Sequence, residues 1–314
     1  MTKTHNHTAI TDILGVLSRD HLQGKEEVLR LSLIALLTGG HILIEDLPGL
    51  GKTTIALALA AATGLSFGRV QCTSDLLPSD ITGLSVFNRE EGRFIFMPGP
   101  VFSNIVLLDE INRAMPRTQS AMLEAMEERR VTVEGVTHHL PDPFIVFATQ
   151  NPSDQSGTFP LPESQLDRFL ICTGIGYPPE HLEKMIIAGG GIREKIVNIA
   201  AISTTGDILS ARRIVGHDVF LSEKVVSYIH AIVAATRCHS MIQTGLSTRA
   251  AISLAQAARA SAFLEGRDFV APEDVKRIAQ AVCAHRLVMR SEHENVDRGG
   301  VLRAIVATIP LPLV

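Results

Sequence analysis

The chain has 314 residues, of which 46% are hydrophobic and 20% charged, and its formal net charge is −4. This composition is typical of a globular protein with room for two domains, and the small charge gives no strong attraction to nucleic acid or anionic lipid. The longest apolar runs are far shorter than the roughly 20 residues that span a bilayer, so membrane insertion is not expected. The polar N-terminus lacks the apolar segment of a secretory peptide, which predicts a cytoplasmic protein.

Between residue 41 and about residue 176 the sequence alternates short apolar runs with longer amphipathic ones. Three uniformly apolar runs predict buried strands: His41–Ile44, Ile105–Leu108 and Phe144–Ala148. Strands that helices cover on both faces are continuously apolar, so the pattern predicts a parallel sheet between two layers of helices.

A glycine-rich segment, Glu45–Thr54, follows the first predicted strand and opens a predicted helix, as a phosphate-binding loop requires. Backbone N–H groups of such a loop bind phosphate oxygens, and the helix N-terminus reinforces them. Lys52 would bridge the β- and γ-phosphates of a nucleotide, and the Thr53 hydroxyl would bind Mg²⁺. The residues predicted to contact the nucleotide here are Pro48, Gly49, Leu50, Gly51, Lys52, Thr53 and Thr54.

One position departs from the strict pattern G-x-x-x-x-G-K-[ST], because Asp46 stands where the first glycine belongs. That glycine eases a turn more than it contacts phosphate, so nucleotide binding should survive. The alternatives are a chance glycine-rich turn, or a scaffold that binds nucleotide in order to assemble and hydrolyses little of it.

The other two predicted strands end in residues suited to hydrolysis. Asp109 would hold the Mg²⁺ shell, and Glu110 would orient and deprotonate the attacking water. Asn151 follows the third strand, where its amide can bind both the γ-phosphate and that water. An acidic strand end and an Asn-Pro turn are the structural alternatives, and the phosphate loop at this distance favours the catalytic interpretation.

Two β-hairpins and several helices complete the pattern. Alternating residues predict hairpins at Leu84–Phe96 and Arg130–Leu140, and Pro116 opens a helix between them. After residue 178 the sequence indicates helices only, with starts at Ser222 and Pro272 and another helix from Ala250 to Leu264. The predicted fold is an α/β nucleotide-binding αβα core over residues 1–178, followed by a small all-α helical domain over residues 179–314.

With these motifs in order, essentially the whole chain resembles the MoxR branch of the AAA+ ATPases. The stretches that carry the resemblance are Glu45–Thr54, Leu108–Ala114, Thr118–Glu128, Thr149–Pro152 and Gly157–Phe169. The resemblance implies a P-loop AAA+ core with a helical lid, and ATP hydrolysis with Mg²⁺ at the subunit interfaces of a hexameric homo-oligomer. It also implies a chaperone-like action on a partner protein, in relatives one that carries a von Willebrand factor A domain, which would come in trans.

The resemblance assigns further residues. Arg168 matches the arginine finger that reaches a neighbouring subunit, although it could instead cap a helix or pair with Asp167. Arg249 matches the second sensor, with a solvated residue at a helix start as the alternative. Gln23 and Gly24 match the adenine pocket.

Both hairpins match insertions that line the pore of the ring in relatives, but hairpins can also be inert. A DNA-directed AAA+ protein is a third functional class that stays open, although the chain lacks a basic stripe.

Overall fold

The computed structural model describes residues 2–151, 157–189, 196 and 199–312. The helices are α1 (Thr2–Val16), α2 (Glu26–Thr38), α3 (Lys52–Thr63), α4 (Pro78–Thr82), α5 (Pro116–Glu128), α6 (Glu163–Leu166), α7 (Glu180–Gly189), α8 (Thr205–Arg213), α9 (Glu223–Arg237), α10 (Thr248–Leu264), α11 (Pro272–Cys283) and α12 (Arg298–Thr308). The strands are β1 (Ile42–Glu45), β2 (Phe67–Gln71), β3 (Gly83–Asn88), β4 (Arg93–Pro98), β5 (Ile105–Asp109), β6 (Arg130–Val133), β7 (Val136–His139), β8 (Ile145–Gln150), β9 (Ile171–Thr173), β10 (Ile242–Thr244) and β11 (Val288–Met289).

Five strands form one parallel sheet in the order β2-β5-β8-β1-β9. Strand β8 therefore lies between β1 and β5, although it follows both in the sequence. Parallel strands all end at the same side of a sheet. The residues that follow β1, β5 and β8 meet at this carboxyl edge, and the residues that precede these strands lie at the opposite, amino edge.

The central strands are covered on both faces, as the sequence predicts. On β5, Ile105 and Leu107 belong to one hydrophobic cluster, while Val106 and Leu108 belong to another. Strands β1 and β8 divide their side chains between the same two clusters. Because each face packs against helices, both faces must be apolar.

The three predicted strands are confirmed with ends displaced by one or two residues, but the sheet contains two more. The edge strand β2 reads Phe-Gly-Arg-Val-Gln, which mixes polar and apolar residues, and β9 has three residues. Neither gives a uniformly apolar run, so the pattern that reveals buried strands does not detect them.

The two predicted hairpins are confirmed as the pairs β3–β4 and β6–β7. The second turns at Glu134 and Gly135, whose φ angles of 50° and 80° fit a tight hairpin turn. The ring of Phe96 in the first hairpin stacks on His138 in the second, with centroids 3.9 Å apart. The two hairpins therefore pack side by side.

The C-terminal region is helical, with starts close to those the sequence predicts. The Ser222 hydroxyl accepts the N–H of Val225 at 3.3 Å, and α11 begins at Pro272. One detail differs, because β10 and β11 pair as a short antiparallel ribbon among these helices. Strands of two or three residues are too short to give a periodic signal. Within the described residues, no helix combines the length and the apolar character that crossing a membrane requires.

Candidate nucleotide site

The glycine-rich segment forms the turn between the buried strand β1 and the N-terminus of α3. Gly49 and Gly51 have φ angles of 85° and 96°, in the left-handed region that glycine adopts without steric cost. A Cβ at Gly49 would meet no atom within 4 Å, so backbone conformation rather than crowding selects glycine there. The turn can present the N–H groups at the start of α3 to phosphate oxygens.

Lys52, the first residue of α3, extends back over this turn. Its Nζ donates to the main-chain oxygen of Asp46 and, at 3.4 Å, to that of Gln150. Burial lowers the pKa of Lys52, while the carboxylates of Asp46, Asp109 and Glu110 raise it in part. The acids at the end of β5 are therefore near enough to the phosphate loop to act electrostatically on Lys52.

Asp46, which replaces the first glycine of the strict pattern, holds a neighbouring loop. Its Oδ2 accepts the N–H groups of Ile175 and Gly176 at 2.7 Å each, and its Oδ1 accepts that of Leu47 at 2.8 Å. Burial raises the pKa of the Asp46 carboxyl, but the three backbone donors and Lys52 together lower it below its ordinary value. The aspartate at the position of the first glycine therefore holds the backbone of the loop at residues 175 and 176.

Lys25 binds the same loop from its carbonyl side. Its Nζ donates to the carbonyl oxygen of Gly176 at 2.6 Å and to that of Ile175 at 3.4 Å. We call Asp46, Lys25 and residues 174–176 the loop clasp. The backbone of Asp46 is outside the left-handed region, which three other non-glycine residues of the described chain adopt. An aspartate side chain at this position therefore introduces no backbone strain.

Asp109 ends β5 and is almost fully buried, with 8% of its surface exposed. Both Nε and one terminal nitrogen of Arg69 lie 2.8 Å from its Oδ2. Arg69 belongs to the adjacent strand β2, so the sheet itself brings this partner to the acid.

Glu110 has a left-handed backbone, with φ 58° and ψ 53°, although it is not glycine. Its N–H donates to the Thr149 hydroxyl at 2.9 Å. Its carboxylate accepts the Gln71 amide at 3.2 Å and pairs with Arg113 at 3.4 Å. Such backbone strain is concentrated at functional sites, and here it is fixed by contacts to two neighbouring strands.

Asn151 directly follows the last residue of β8, between the ends of β1 and β5. The preceding residue, Gln150, donates its side-chain amide to Glu45 at the end of β1. Asn151 therefore lies between the phosphate loop and the acids, while Pro152 lies outside the described residues.

The predicted adenine-pocket residues lie next to the loop clasp. Gly24 has φ 74°, and a Cβ there would come within 2.9 Å of Pro179, which follows the clasped loop. The exposed Gln23 donates its side-chain amide to the carbonyl oxygen of Arg19 at 2.6 Å. Gly24 thus packs against the segment that the clasp holds, and the Gln23 side chain folds back on the chain segment that precedes it.

Arg168 and Arg249 do not join this group. The N–H of Leu170 donates to the carbonyl oxygen of His41 at 2.9 Å, which places the segment before β9 at the amino edge. At about 3.3 Å per residue, the strand from His41 to Asp46 separates the two edges by roughly 16 Å. Arg168 pairs with Glu127 at 3.2 Å, and Arg249 pairs with the same Glu127 at 3.1 Å.

Several residues of the site were missed by the sequence analysis: Lys25, Arg69, Gln71, Arg113 and Thr149. Gln71 and Arg69 lie on β2, which the sequence does not reveal as a strand. The one signal available is that Arg113 and Thr149 lie close in sequence to predicted catalytic residues.

Known families match both parts of the chain. Residues 41–171 match the family described as "ATPase family associated with various cellular activities (AAA)", and residues 234–305 match the AAA lid domain. The chain is 37% identical over 302 residues to Chaperone MoxR1 of Mycobacterium tuberculosis, which covers 93% of this chain and 79% of that protein. The chain belongs to the MoxR family of AAA+ ATPases.

Two further similarities extend over almost the whole chain. The uncharacterized protein YeaC of Bacillus subtilis (strain 168) is 44% identical over 292 residues, covering 92% of this chain and 91% of that protein. A crystal structure described as a candidate ATPase from Cytophaga hutchinsonii has 36% identity and a TM-score of 0.91, covering 99% of this chain and 97% of its own. The chain is accordingly an ATP hydrolase with the parallel sheet and helical lid of the AAA+ fold.

Proposed function

We propose that this MoxR-family ATPase forms a cytoplasmic homo-hexameric ring that hydrolyses ATP with Mg²⁺ between neighbouring subunits and thereby remodels partner proteins. One observation carries the proposal. Lys52, Glu110 and Asn151 gather at the carboxyl edge of the sheet, whereas Arg168 and Arg249 lie at the amino edge. A complete site then needs two copies of the chain.

At the carboxyl edge each side chain has a role that its position allows. The loop amides and Lys52 hold the β- and γ-phosphates, and Glu110 accepts the proton of the attacking water. Asn151, between them, binds that water and the γ-phosphate. Both the lysine and the acid are partly buried, and charged groups act more strongly on a phosphate where water is partly excluded.

The residues at this edge also fit a magnesium ion. The Thr53 hydroxyl and the Asp109 carboxylate are the oxygen donors that Mg²⁺ prefers. Both contacts of Arg69 go to Oδ2 of Asp109, so the carboxylate keeps an oxygen that Arg69 does not bind, and Asp109 would hold the water shell of the metal. The ion would supply charge neutralisation of the phosphate oxygens.

At the amino edge, Arg168 and Arg249 would stabilise the charge that develops on the γ-phosphate of the next subunit. An arginine side chain is much shorter than the roughly 16 Å that a strand of this length spans. Neither arginine can therefore serve the phosphate loop of its own subunit, which supports action in trans for both. Guanidinium groups suit this role because they stay charged and bind phosphate oxygens in a fork.

Mixing two inactive variants tests the shared site. Glu110→Gln subunits cannot hydrolyse but still donate arginines, and Arg168→Ala subunits keep their own acids but cannot donate. Each variant alone should release little phosphate, and the mixture should regain a substantial part of wild-type ATPase activity. Mixtures that stay as inactive as their components would refute the shared site. Analytical ultracentrifugation in the presence of ATP would measure the number of subunits in the ring.

We further propose a division into an AAA+ core, residues 1–178, and a lid, residues 179–314, which the two separate family matches support. The partner would be a protein with a von Willebrand factor A domain, bound by the two hairpins. Phe87 and Phe94 support this role, because they form an aromatic pair on the first hairpin and are 50% and 67% exposed. Affinity capture with Glu110→Gln subunits in ATP would test it, and capture of no such protein would count against it.

A further inference from the structure

Glu127, near the end of α5, binds both arginines of the amino edge. Its Oε2 lies 3.2 Å from a terminal nitrogen of Arg168, and its Oε1 lies 3.1 Å from a terminal nitrogen of Arg249. Each oxygen of one carboxylate thus takes one guanidinium. The two cations are held side by side within hydrogen-bonding distance of a single anion.

The two arginines come from parts of the chain that are far apart in sequence. Arg168 lies just before β9 in the core, and Arg249 lies in the first turn of α10, where it is 59% exposed. Two like charges repel, and long side chains sample many rotamers, so without a shared anchor their spacing would vary. A cation at a helix N-terminus is also disfavoured unless an anion faces it. Glu127 supplies that anion.

A second carboxylate, that of Asp167, also pairs with Arg249. Asp167 lies 3.8 Å from Arg249 through Oδ2 and 2.9 Å from Nε of Arg286 through Oδ1. Arg286 is buried, with 4% of its side chain exposed, and it donates to the carbonyl oxygen of Phe169 at 2.9 Å. Asp167 is therefore held by a buried arginine, and among the residues that the structure describes only Glu127 pairs with both Arg168 and Arg249.

We propose that Glu127 is a positioning residue, which fixes the spacing of Arg168 and Arg249 so that they reach a neighbouring subunit's γ-phosphate together. This rests on the proposed sharing of the site between subunits. Exposed ion pairs contribute little to stability. Loss of Glu127 should therefore leave folding intact and appear in the catalysis that a subunit donates to its neighbour.

The experiment uses the mixed rings and changes only the donor. Arg168→Ala subunits provide the intact active site, and donors carry Glu110→Gln alone or with Glu127→Ala, Glu127→Gln or Glu128→Ala. Glu128 is the matched control, because it is the next residue of α5 and its ion pair is with Arg130 at 3.0 Å. Steady-state kcat and KM for ATP are measured, and tagged donors report their share of the rings.

The Glu127→Ala donor should restore about tenfold less kcat than the Glu110→Gln parent, since small misplacements of a catalytic group cost one to two orders of magnitude. KM should change less than twofold, because ATP is held by the acceptor subunit. Glu127→Gln, which keeps one acceptor oxygen, should restore an intermediate rate. Glu128→Ala should equal the parent.

Equal kcat with Glu127→Ala and Glu128→Ala donors would overturn the role of Glu127 while leaving the shared site intact. Poor incorporation of Glu127→Ala into rings would overturn it in favour of a role in assembly. If the parent donor restores nothing, the shared site itself fails and the inference fails with it. A lowered melting temperature of Glu127→Ala would assign the residue to folding.

Discussion

Restoring the missing glycine of the phosphate loop by Asp46→Gly should weaken ATP binding. In the structure the Asp46 carboxylate accepts two long-range backbone N–H groups, of Ile175 and Gly176, at 2.7 Å each. The clasped loop leads to Pro179, which packs on Gly24 in the predicted adenine pocket. Loss of the carboxylate releases the amide side of the loop, and the pocket wall becomes less ordered.

The size of the effect follows from the hydrogen bonds. A hydrogen bond to a charged group stabilises a protein by at least about 1.5 kcal/mol when it is buried. We take about half of this value for each bond, because water partly screens the exposed part of the Asp46 carboxylate. Two such bonds give about 1.5 kcal/mol, which is roughly a tenfold change in an equilibrium constant. KM for ATP should therefore rise up to about tenfold. The rate constant kcat should change less than KM, because the hydrogen bond from Lys52 goes to the main-chain oxygen of Asp46, which Asp46→Gly keeps.

A coupled-enzyme ATPase assay over a range of ATP concentrations measures both constants. Asp46→Asn, which keeps an acceptor oxygen, should lie between wild type and Asp46→Gly. Lys25→Met removes the donor to the loop carbonyls, so the double variant should be less impaired than the sum of its parts. By the strict motif alone, glycine at position 46 should leave ATP binding unchanged or improve it. A KM for Asp46→Gly that is within twofold of the wild-type value, or below it, would therefore refute the proposed role of the Asp46 carboxylate.

Three further predictions concern catalysis, pH and the first hairpin. Glu110→Gln should lower kcat by about 10²- to 10⁴-fold while a fluorescent nucleotide still binds; a rate near wild type would exclude Glu110 as the base. His41 and His285 are buried, and burial lowers the pKa of each to about 3. Histidine in the unfolded chain binds a proton near pH 6.5, whereas these two buried histidines do not bind one until about pH 3. The free energy of unfolding should therefore be constant above pH 6.5 with respect to these groups and should fall as the pH is lowered towards 3. Lowering the pH from 7.5 to 5.5 should reduce the free energy of unfolding, measured with urea, by about 1.4 kcal/mol for each histidine, and an unchanged urea midpoint would contradict this. Phe94 is 67% exposed, so Phe94→Ser should change the free energy of unfolding by no more than about 0.5 kcal/mol. It should also keep its ATPase rate and lose captured partner protein, whereas undiminished capture would argue that the hairpin is inert.

The sequence determined the features that depend on local pattern. The phosphate loop, Asp109 and Glu110 each follow a uniformly apolar run, and runs of that kind must be buried strands whose ends meet at one edge of a sheet. The hairpins and helix starts also depend on neighbouring residues, through turn geometry and capping. These parts could be predicted because the interactions that form each motif are between residues close together in the sequence.

Only the tertiary structure decided what meets across the sheet. It brought Arg69 to Asp109 through β2, a strand without a clear sequence signal, and gave Asp46 a loop to hold. It also placed Arg168 and Arg249 on one carboxylate, at the edge remote from their own phosphate loop. Strand order and domain packing join residues that are distant in the sequence, and no local pattern contains that information.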